Sequence, residues 1–379
     1  MKITYISSFD ASNIGSYSGT GYYIPKKLEE SGDEVSYIGN LNKLNPVSLK
    51  AKKKILRMLG RNFLIERDPG VMKKWADHIQ HQIPEDTEVL VGYSSQPFSM
   101  LKTKKPMVIW TDAIFANMVD FYEVYSSLVP ESLKNGNAME KAALENVNLA
   151  VFSSDWAANA AKEYYKIPKE KVKVIPYGAN IDIDFSSEEI EKKARQKPDN
   201  LCNLLFIGVE WQRKGGDKAV EIASEMNKAG IKTKLSIVGT EVKDDIKKLD
   251  FTECHGFISK STGEGRTLLN RIIGESHFLV LPTRADCTPI VFNEFNAHGI
   301  PVITTNVGGV PTIIKNNING YTFDLNAPAG DYTQVIKKIL NDKEKYVSLA
   351  LKSHHEYKTR LNWETSISKF REYLNEVIG

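Results

Sequence analysis

One run of the sequence, 278–311, has the pattern of a buried strand, a tight loop and a helix. It opens with the apolar segment Phe-Leu-Val-Leu, which is typical of a strand covered on both faces. Thr288 is a good N-cap residue, and Pro289 suits the first helical position. Gly299, with Pro301 just beyond it, marks the end of the helix.

The amino end of this predicted helix is suited to phosphate. Backbone N–H groups near Ile290 and Val291 have no acceptor inside the helix, and the helix dipole favours an anion there. Asp286 lies in the preceding loop, and Glu294 lies about a turn and a half inside the helix. Carboxylates accept paired hydrogen bonds from vicinal diols, so these two can hold hydroxyl-rich groups on either side of a diphosphate. The structural alternative is that Asp286 caps a turn and Glu294 lies on the helix surface.

A second run, 204–217, places two cations directly after a predicted strand. Gly208 permits a sharp exit from the strand, and the glycine pair at 215–216 permits close approach of the backbone. Arg213 and Lys214 supply a forked and a point positive charge, which together neutralise a diphosphate. The alternative is a pair of solvated basic residues at a helix start, where cations oppose the helix dipole.

A third run, 12–23, is a glycine-rich turn after the first predicted strand. Gly19 and Gly21 would let a diphosphate or an acceptor approach the backbone at one wall of a cleft, and a purely structural turn is the alternative. The run does not match G-x-G-x-x-G, and the chain has no G-x-x-x-x-G-K-[ST]. Dinucleotide-binding and P-loop functions therefore lose support.

Other chemistry is weakly represented. Asp112 follows a strand end and either meets a sugar hydroxyl or caps a turn. The seven histidines lack cysteine or carboxylate partners at metal-ligand spacing, and no D-x-D motif stands in a suitable place, so we predict neither a metal nor a cofactor. H-E-x-x-H and G-x-S-x-G are absent, and Cys287 has no evident base, which excludes zinc and serine hydrolases and disfavours a cysteine nucleophile.

The elements that must position these residues alternate between apolar runs and amphipathic segments. This order predicts α/β architecture with doubly wound parallel sheets. The candidate strands are Lys2–Ser7, Glu34–Ile38, Val89–Val91, Met107–Trp110, Leu149–Phe152, Val172–Ile175, Leu204–Ile207, Lys234–Val238, Phe278–Leu281, Val302–Thr304 and Gly320–Phe323.

The series of strands restarts after a polar stretch, 181–200, which we interpret as a linker. One Rossmann-like domain is predicted at 1–180 and a second at 201–362. A final helix at 363–379 has an apolar face that must be buried, and we expect it to pack back on the first domain. Such sheets bind ligands at the carboxyl ends of their strands, so the predicted site is the cleft where the two domains face each other.

Composition gives the cellular setting. The 379 residues are 41% hydrophobic and 26% charged, with a net charge of +3, too balanced for nucleic-acid binding by bulk charge. Three distant cysteines, no signal-peptide pattern and no long apolar stretch predict a cytoplasmic protein. A basic cluster, Lys50–Arg61, with interleaved Leu49, Ile55, Leu56 and Leu59, is either a solvated helix or a surface for anionic groups or a membrane.

Together the three runs resemble the family-4 (group 1) retaining glycosyltransferases of the GT-B fold, over nearly the whole chain. The resemblance rests on S-G-T-G-Y-Y at 18–23, G-V-E-W-Q-R-K-G-G at 208–216, the spaced carboxylates, V-G-G-V-P at 307–311 and Asn362-Trp363-Glu364. It implies sugar transfer, with retention, from a nucleotide-diphosphate sugar to a hydroxyl of a glycan, a small molecule or a lipid-linked acceptor. We favour a UDP-sugar as donor.

The resemblance also implies roles for residues. Arg213 and Lys214 would hold the donor diphosphate, with the helix that starts near Pro289 facing the phosphates. Glu294 would bind the ribose hydroxyls, and Asp286 would contact the donor sugar. The backbone at Phe257–Ile258 would meet the base.

The sequence departs from the family pattern in four places. Asp286 stands where the first of two spaced glutamates is usual, which bears on the identity of the sugar. Val209 replaces an arginine, whose role we assign to Arg213. Thr312 replaces a common glutamate, and His298 replaces a frequent cysteine.

Two other functions fit the same fold. A nucleotide-sugar 2-epimerase needs further acid and base groups, for which the sequence offers only Asp112. A catalytically inactive nucleotide-sugar-binding protein would tolerate loss of Arg213, Lys214 or Glu294, yet all three are present.

Overall fold

The computed structural model describes residues 1–15, 19–181, 183–259 and 262–379. The chain forms two compact units: residues 1–180 with 363–379 make unit 1, and residues 181–362 make unit 2. Each unit holds one six-stranded sheet in which every strand pair is parallel. The predicted fold class, two Rossmann-like α/β domains, is confirmed.

In unit 1 the sheet order is β2-β1-β3-β4-β5-β6. The strands are short apolar runs, and β3, β4 and β5 are buried along their whole length because helices cover both faces of the sheet. The elements are β1 Lys2–Ile6, α1 Thr20–Glu30, β2 Glu34–Ile38, α2 Val47–Met58, α3 Pro69–Gln80, β3 Val89–Gly92, β4 Met107–Thr111, α4 Phe115–Met118, α5 Pro130–Asn146, β5 Leu149–Phe152, α6 Asp155–Tyr164, β6 Val172–Val174 and α16 Trp363–Ile378.

In unit 2 the sheet order is β12-β11-β10-β7-β8-β9, the order of a dinucleotide-type Rossmann sheet. The elements are α7 Ser187–Arg195, β7 Cys202–Ile207, α8 Trp211–Lys214, α9 Gly216–Lys228, β8 Thr233–Val238, α10 Asp244–Lys247, β9 Thr252–Gly256, α11 Gly263–Glu275, β10 Phe278–Leu281, α12 Ile290–Ala297, β11 Val302–Thr305, α13 Val310–Ile313, β12 Gly320–Phe323, α14 Ala329–Leu340 and α15 Lys343–Arg360.

All eleven predicted strands form, and most differ from the prediction by one or two residues at an end. The strand that the sequence did not predict is β9. It has no continuous apolar run, since it lies at the edge of its sheet and is only partly buried. A strand of this kind lacks the hydrophobic signal that marks its neighbours.

The polar stretch 181–200, interpreted as a linker, belongs to unit 2 and contains α7. Ser186 and Glu189 form a reciprocal capping box at the start of this helix. Ile190 and Ala194 are buried and join the core of the unit. The segment is therefore a packed helix and not a free connection. The sequence pattern did not predict this packing, because most residues of the segment are charged.

The terminal helix α16 belongs to unit 1. Phe370 is fully buried, and its ring lies 4.6 Å from that of Trp110 at the centre of the sheet. The indole of Trp363 donates a hydrogen bond to Asn180, at 2.9 Å. The last seventeen residues of the chain therefore complete the core of the domain that the chain begins with.

Candidate functional site

Strand order places the candidate site at the carboxyl edge of unit 2. Strands β7 and β10 are neighbours, and the chain leaves them toward opposite sides of the sheet, to β8 and to β11. Such a switch point opens a crevice beyond the strand ends, where open α/β sheets bind ligands. The two most informative sequence runs are the loops that follow these strands.

Lys214 and Asp286, one from each loop, form an ion pair at the switch point. The Nζ–Oδ2 distance is 2.5 Å, and the side chains are 14% and 9% exposed. Gly208, at the end of β7, leaves the space that the Lys214 stem occupies, because a Cβ there would lie 2.9 Å from Cγ of the lysine. The predicted cation and the predicted carboxylate are therefore in direct contact.

Arg213 lies beside this pair but is directed by other groups. Its guanidinium donates to both carboxylate oxygens of Glu210, at 2.9 and 2.6 Å, and to the Ala285 carbonyl, at 2.8 Å. The distance from its Nη1 to Asp286 Oδ2 is 3.9 Å. Hydrogen bonds from Arg213 lower the pKa of Glu210, which keeps the carboxylate charged. Glu210 thus orients the arginine, a role that the sequence did not reveal.

Further contacts join the two loops. Arg284 N donates to the Arg213 carbonyl at 2.7 Å, and the Arg284 guanidinium binds both oxygens of Asp217, at 3.0 and 2.7 Å. Gly309 N, from the V-G-G-V-P segment, donates to the Asp286 carbonyl at 3.1 Å. Two separate stretches of the chain, the 204–217 run and the V-G-G-V-P segment, hold the Asp286 loop, so the carboxylate has a fixed position. The Arg284–Asp217 pair was also missed by the sequence analysis.

The helix after this loop starts one residue later than predicted. Pro289 is the N-cap residue of α12, with extended φ and ψ of −77° and 92°, and no side chain caps the helix. Thr288 therefore precedes the cap and is not the cap itself. The first helical residues are Ile290 and Val291, whose N–H groups lack acceptors within the helix, as the sequence predicted.

Glu294 lies inside α12 and is 4% exposed, while Asp286 is 6% exposed. The alternative that Glu294 is an ordinary surface residue is therefore wrong. Gly299 ends the helix in the left-handed conformation, φ 66°, as predicted.

Other predicted residues lie on two more loops. Phe257, which is 74% exposed, and the half-buried Ile258 follow β9 at the carboxyl edge of unit 2, two strands from β7. In unit 1, Asp112 follows β4 and is half-buried.

The glycine turn of unit 1 has a structural explanation. Gly19 is the N-cap residue of α1 with φ 89°, a conformation that favours glycine. Gly21 lies against the ring of Phe9, since a Cβ at this position would be 2.3 Å from the ring. The Phe9 ring thus occupies the space predicted for an approaching ligand at Gly21. Residues 16–18 of the turn lie outside the described residues.

Within the described residues, no helix is long and apolar enough to cross a membrane. The same residues contain no group of three or more His, Cys, Asp and Glu side chains that could hold a metal ion.

Part of unit 2 matches a known protein family. Residues 187–354 match the family described as "Glycosyl transferases group 1", which confirms the predicted resemblance to the group 1 glycosyltransferases. The chain is 22% identical, over 83% of its length and 91% of the relative's, to the capsular polysaccharide biosynthesis glycosyltransferase CapM of Staphylococcus aureus. It spans 59% and 52% of the length of two further curated relatives.

Solved structures share the fold over the whole chain. Sucrose-phosphate synthase from Thermosynechococcus elongatus superimposes with a TM-score of 0.69, at 13% identity, over 100% of this chain and 99% of that one. HepE of Anabaena, solved in complex with UDP, superimposes with a TM-score of 0.64, at 15% identity, over 99% and 100%.

Proposed function

We propose that this chain transfers a sugar from a nucleotide-diphosphate donor to an acceptor hydroxyl. The match of residues 187–354 to the group 1 glycosyltransferases supports this proposal. The observation that carries the proposal is the convergence of Lys214, Asp286 and the start of α12 at the ends of β7 and β10. Cationic side chains and helix N–H groups at one point bind a diphosphate.

The Lys214–Asp286 ion pair suggests how the donor is received. A diphosphate that reaches the switch point replaces Asp286 as the partner of Lys214. The carboxylate then becomes available for the hydroxyl groups of the donor sugar. Arg213, held in place by Glu210, adds a second positive charge beside the phosphates.

The chemical step breaks the bond between the anomeric carbon and the diphosphate oxygen and forms a bond from that carbon to the acceptor oxygen. Lys214, Arg213 and the α12 amides stabilise the negative charge that develops on the leaving group. The acceptor proton passes to the departing phosphate on the same face, so the configuration is retained. In this scheme neither a side-chain base nor a divalent cation is required.

We propose UDP as the nucleotide. The neighbour HepE, whose structure holds UDP, shares this fold and so supports the choice. Glu294 binds the ribose hydroxyls, and the backbone at Phe257–Ile258 meets the base.

The acceptor is proposed to be a hydroxyl of a glycan or of a lipid-linked sugar. The name of the relative CapM, a capsular polysaccharide biosynthesis enzyme, supports this class. Asp112 is assigned to an acceptor or donor hydroxyl. Peripheral membrane contact through Lys50–Arg61 belongs to the same proposal.

A thermal-shift screen of UDP, GDP, ADP and their sugar conjugates tests the donor site. At a hundred times its dissociation constant, a ligand that binds only the folded state stabilises it by about 2.7 kcal/mol. We expect UDP compounds to raise the melting temperature of wild type and of Glu225→Gln, a control on the exposed face of α9. Glu294→Gln should lose the shift. No response of wild type to any nucleotide would refute the proposal.

A further inference from the structure

Helix α2 of unit 1 is attached to its domain by one face only. Leu49 and Leu56 are half-buried against the core of the unit. On the same side, Lys52 donates to Glu131 at 2.6 Å, and its ammonium lies 4.3 Å from the centre of the Phe63 ring. These contacts fix the rotation of the helix about its axis, so the residues of the outer face are determined. No residue of α2 is fully buried.

An apolar row runs along the outer face. Its residues recur every three to four positions, which places them on one side of a helix. They are Val47 (80% exposed), Ala51, Ile55 (59%) and Met58 (80%), and Leu59 (71%) continues the row beyond the helix end. The sequence pattern groups Leu49 and Leu56 with this surface, but in the structure both of them lie on the inner face.

A basic row lies beside the apolar row. Lys50, Lys54 and Arg57 follow the spacing i, i+4, i+7, and each is exposed. In the described part of the chain these three side chains and Arg61 take part in no ion pair, whereas Lys52 on the inner face does. Their charge is therefore available to an external partner.

We propose that the outer face of α2 docks on an anionic lipid membrane. The apolar row enters the boundary between headgroups and acyl chains, and Lys50, Lys54, Arg57 and Arg61 bind lipid phosphates. A row of exposed apolar side chains edged by free cations is the arrangement of helices that lie in the plane of a membrane. The docking itself is independent of sugar transfer. Its use, to bring a lipid-linked acceptor to unit 1, depends on the proposed function.

Co-sedimentation of the full chain with vesicles tests the docking. We expect binding to vesicles of phosphatidylcholine mixed with phosphatidylglycerol at low salt, and much weaker binding to phosphatidylcholine alone or at high salt. One basic residue near an anionic surface contributes about 1 kcal/mol, a factor of about five in partitioning. Lys50→Ala with Lys54→Ala should therefore weaken binding about 30-fold. The matched control, Lys162→Ala with Lys169→Ala, removes two exposed lysines elsewhere in unit 1 and should have little effect.

A second pair of variants separates insertion from simple charge attraction. Ile55→Ser with Met58→Ser should weaken binding at both low and high salt, while a tryptophan introduced by Ile55→Trp should show blue-shifted emission on the anionic vesicles. UDP thermal shifts of the same variants should equal those of wild type. A failure of docking is thus distinguished from a failure of the donor site.

The proposal is overturned if wild type does not bind the mixed vesicles at low salt. It is also overturned if the control pair weakens binding as much as the Lys50 and Lys54 pair does. Wild-type self-association that Met58→Ser abolishes, together with absence of vesicle binding, would instead assign the apolar row to a second copy of the chain. Circular dichroism checks that each variant is folded.

Discussion

The two parallel sheets carry different kinds of side chain at their carboxyl edges. At the switch point of unit 2, Lys214 pairs with Asp286, and a second cation, Arg213, lies beside them. At the corresponding point of unit 1, between β1 and β3, the rings of Phe9 and Tyr93 meet edge to face at 5.7 Å. The first edge offers charges and the second offers aromatic packing.

Both sheets have a switch point at their carboxyl edge, but the residues that follow the strands there differ in chemistry. The fixed charges of unit 2 are suited to a diphosphate. An uncharged sugar or an amphipathic acceptor is suited to aromatic surfaces and single polar groups. Two glycines differ in the same way. The absence of a side chain at Gly208 leaves space for Lys214 of the candidate site, and its absence at Gly21 leaves space for the Phe9 ring.

The largest expected effect concerns unit 1 alone. Phe370→Ala removes a fully buried ring from the contact with Trp110, so the free energy of unfolding of unit 1 should fall by about 3–5 kcal/mol. Denaturant unfolding followed by tryptophan fluorescence measures this change. Lys369→Ala, on the exposed side of α16, is the control. A loss below about 1 kcal/mol would show that α16 contributes little to the core of unit 1.

The second prediction concerns the Lys214 cation at the carboxyl edge of unit 2. Lys214→Ala removes a cation from the leaving group and leaves Asp286 without its partner, so we expect a 10²–10³-fold lower rate of sugar transfer, about 2.7–4 kcal/mol. The rate of UDP release from the sugar donor measures it once an acceptor is supplied. Lys218→Ala, which removes a lysine paired with Glu221 on the helix surface, should keep the wild-type rate. Equal rates for both variants would contradict the account.

A third prediction concerns acid stability. Burial lowers the pKa of His277 to about 4. The imidazole of His277 is therefore protonated near pH 4 in the folded state but near pH 6.5 in the unfolded chain. Since the unfolded state binds more protons in this window, stability falls as pH falls from 6.5 to 4, by about 3 kcal/mol for this group. Urea unfolding at several pH values measures the slope, and His277→Gln should flatten it. An unchanged slope in the variant would refute the assignment.

The smallest expected effect concerns the packing role of Gly21 and its contribution to the stability of unit 1. Gly21→Ala places a methyl group 2.3 Å from the Phe9 ring and should destabilise unit 1 by about 1–3 kcal/mol. UDP affinity should be unchanged, because the substitution affects packing only. Gly32→Ala, where no atom lies within 4 Å but φ is 87°, shows the cost of backbone strain alone. A variant with wild-type stability and weaker UDP binding would restore the ligand role predicted from the sequence.

The sequence predicted the fold because the strands of parallel sheets are continuous apolar runs. It missed β9, an edge strand whose composition is polar. It also placed the start of α12 one residue early, since Thr288 and Pro289 match the preferences for the N-cap and the first helical position, whereas the backbone places the cap at Pro289.

Site residues could be predicted where they directly follow a strand. Contacts between residues that are distant in the sequence could not be predicted. Lys214 and Asp286 were identified by type and position, but their direct contact joins residues 72 positions apart. Glu210 and Asp217 were missed, because a carboxylate that orients an arginine has no signature of its own. The inner and outer faces of α2 were likewise fixed only by the contacts of Leu49 and Leu56 with the core.

We propose that the switch point of unit 2 binds the diphosphate of the donor. Calorimetric titration of UDP and of uridine into wild type and Lys214→Met separates the contribution of the diphosphate from that of the nucleoside. We predict that wild type binds UDP far more tightly than uridine, and that the substitution weakens UDP while uridine keeps its affinity. Equal losses for both ligands, or no loss for either, would contradict the claim.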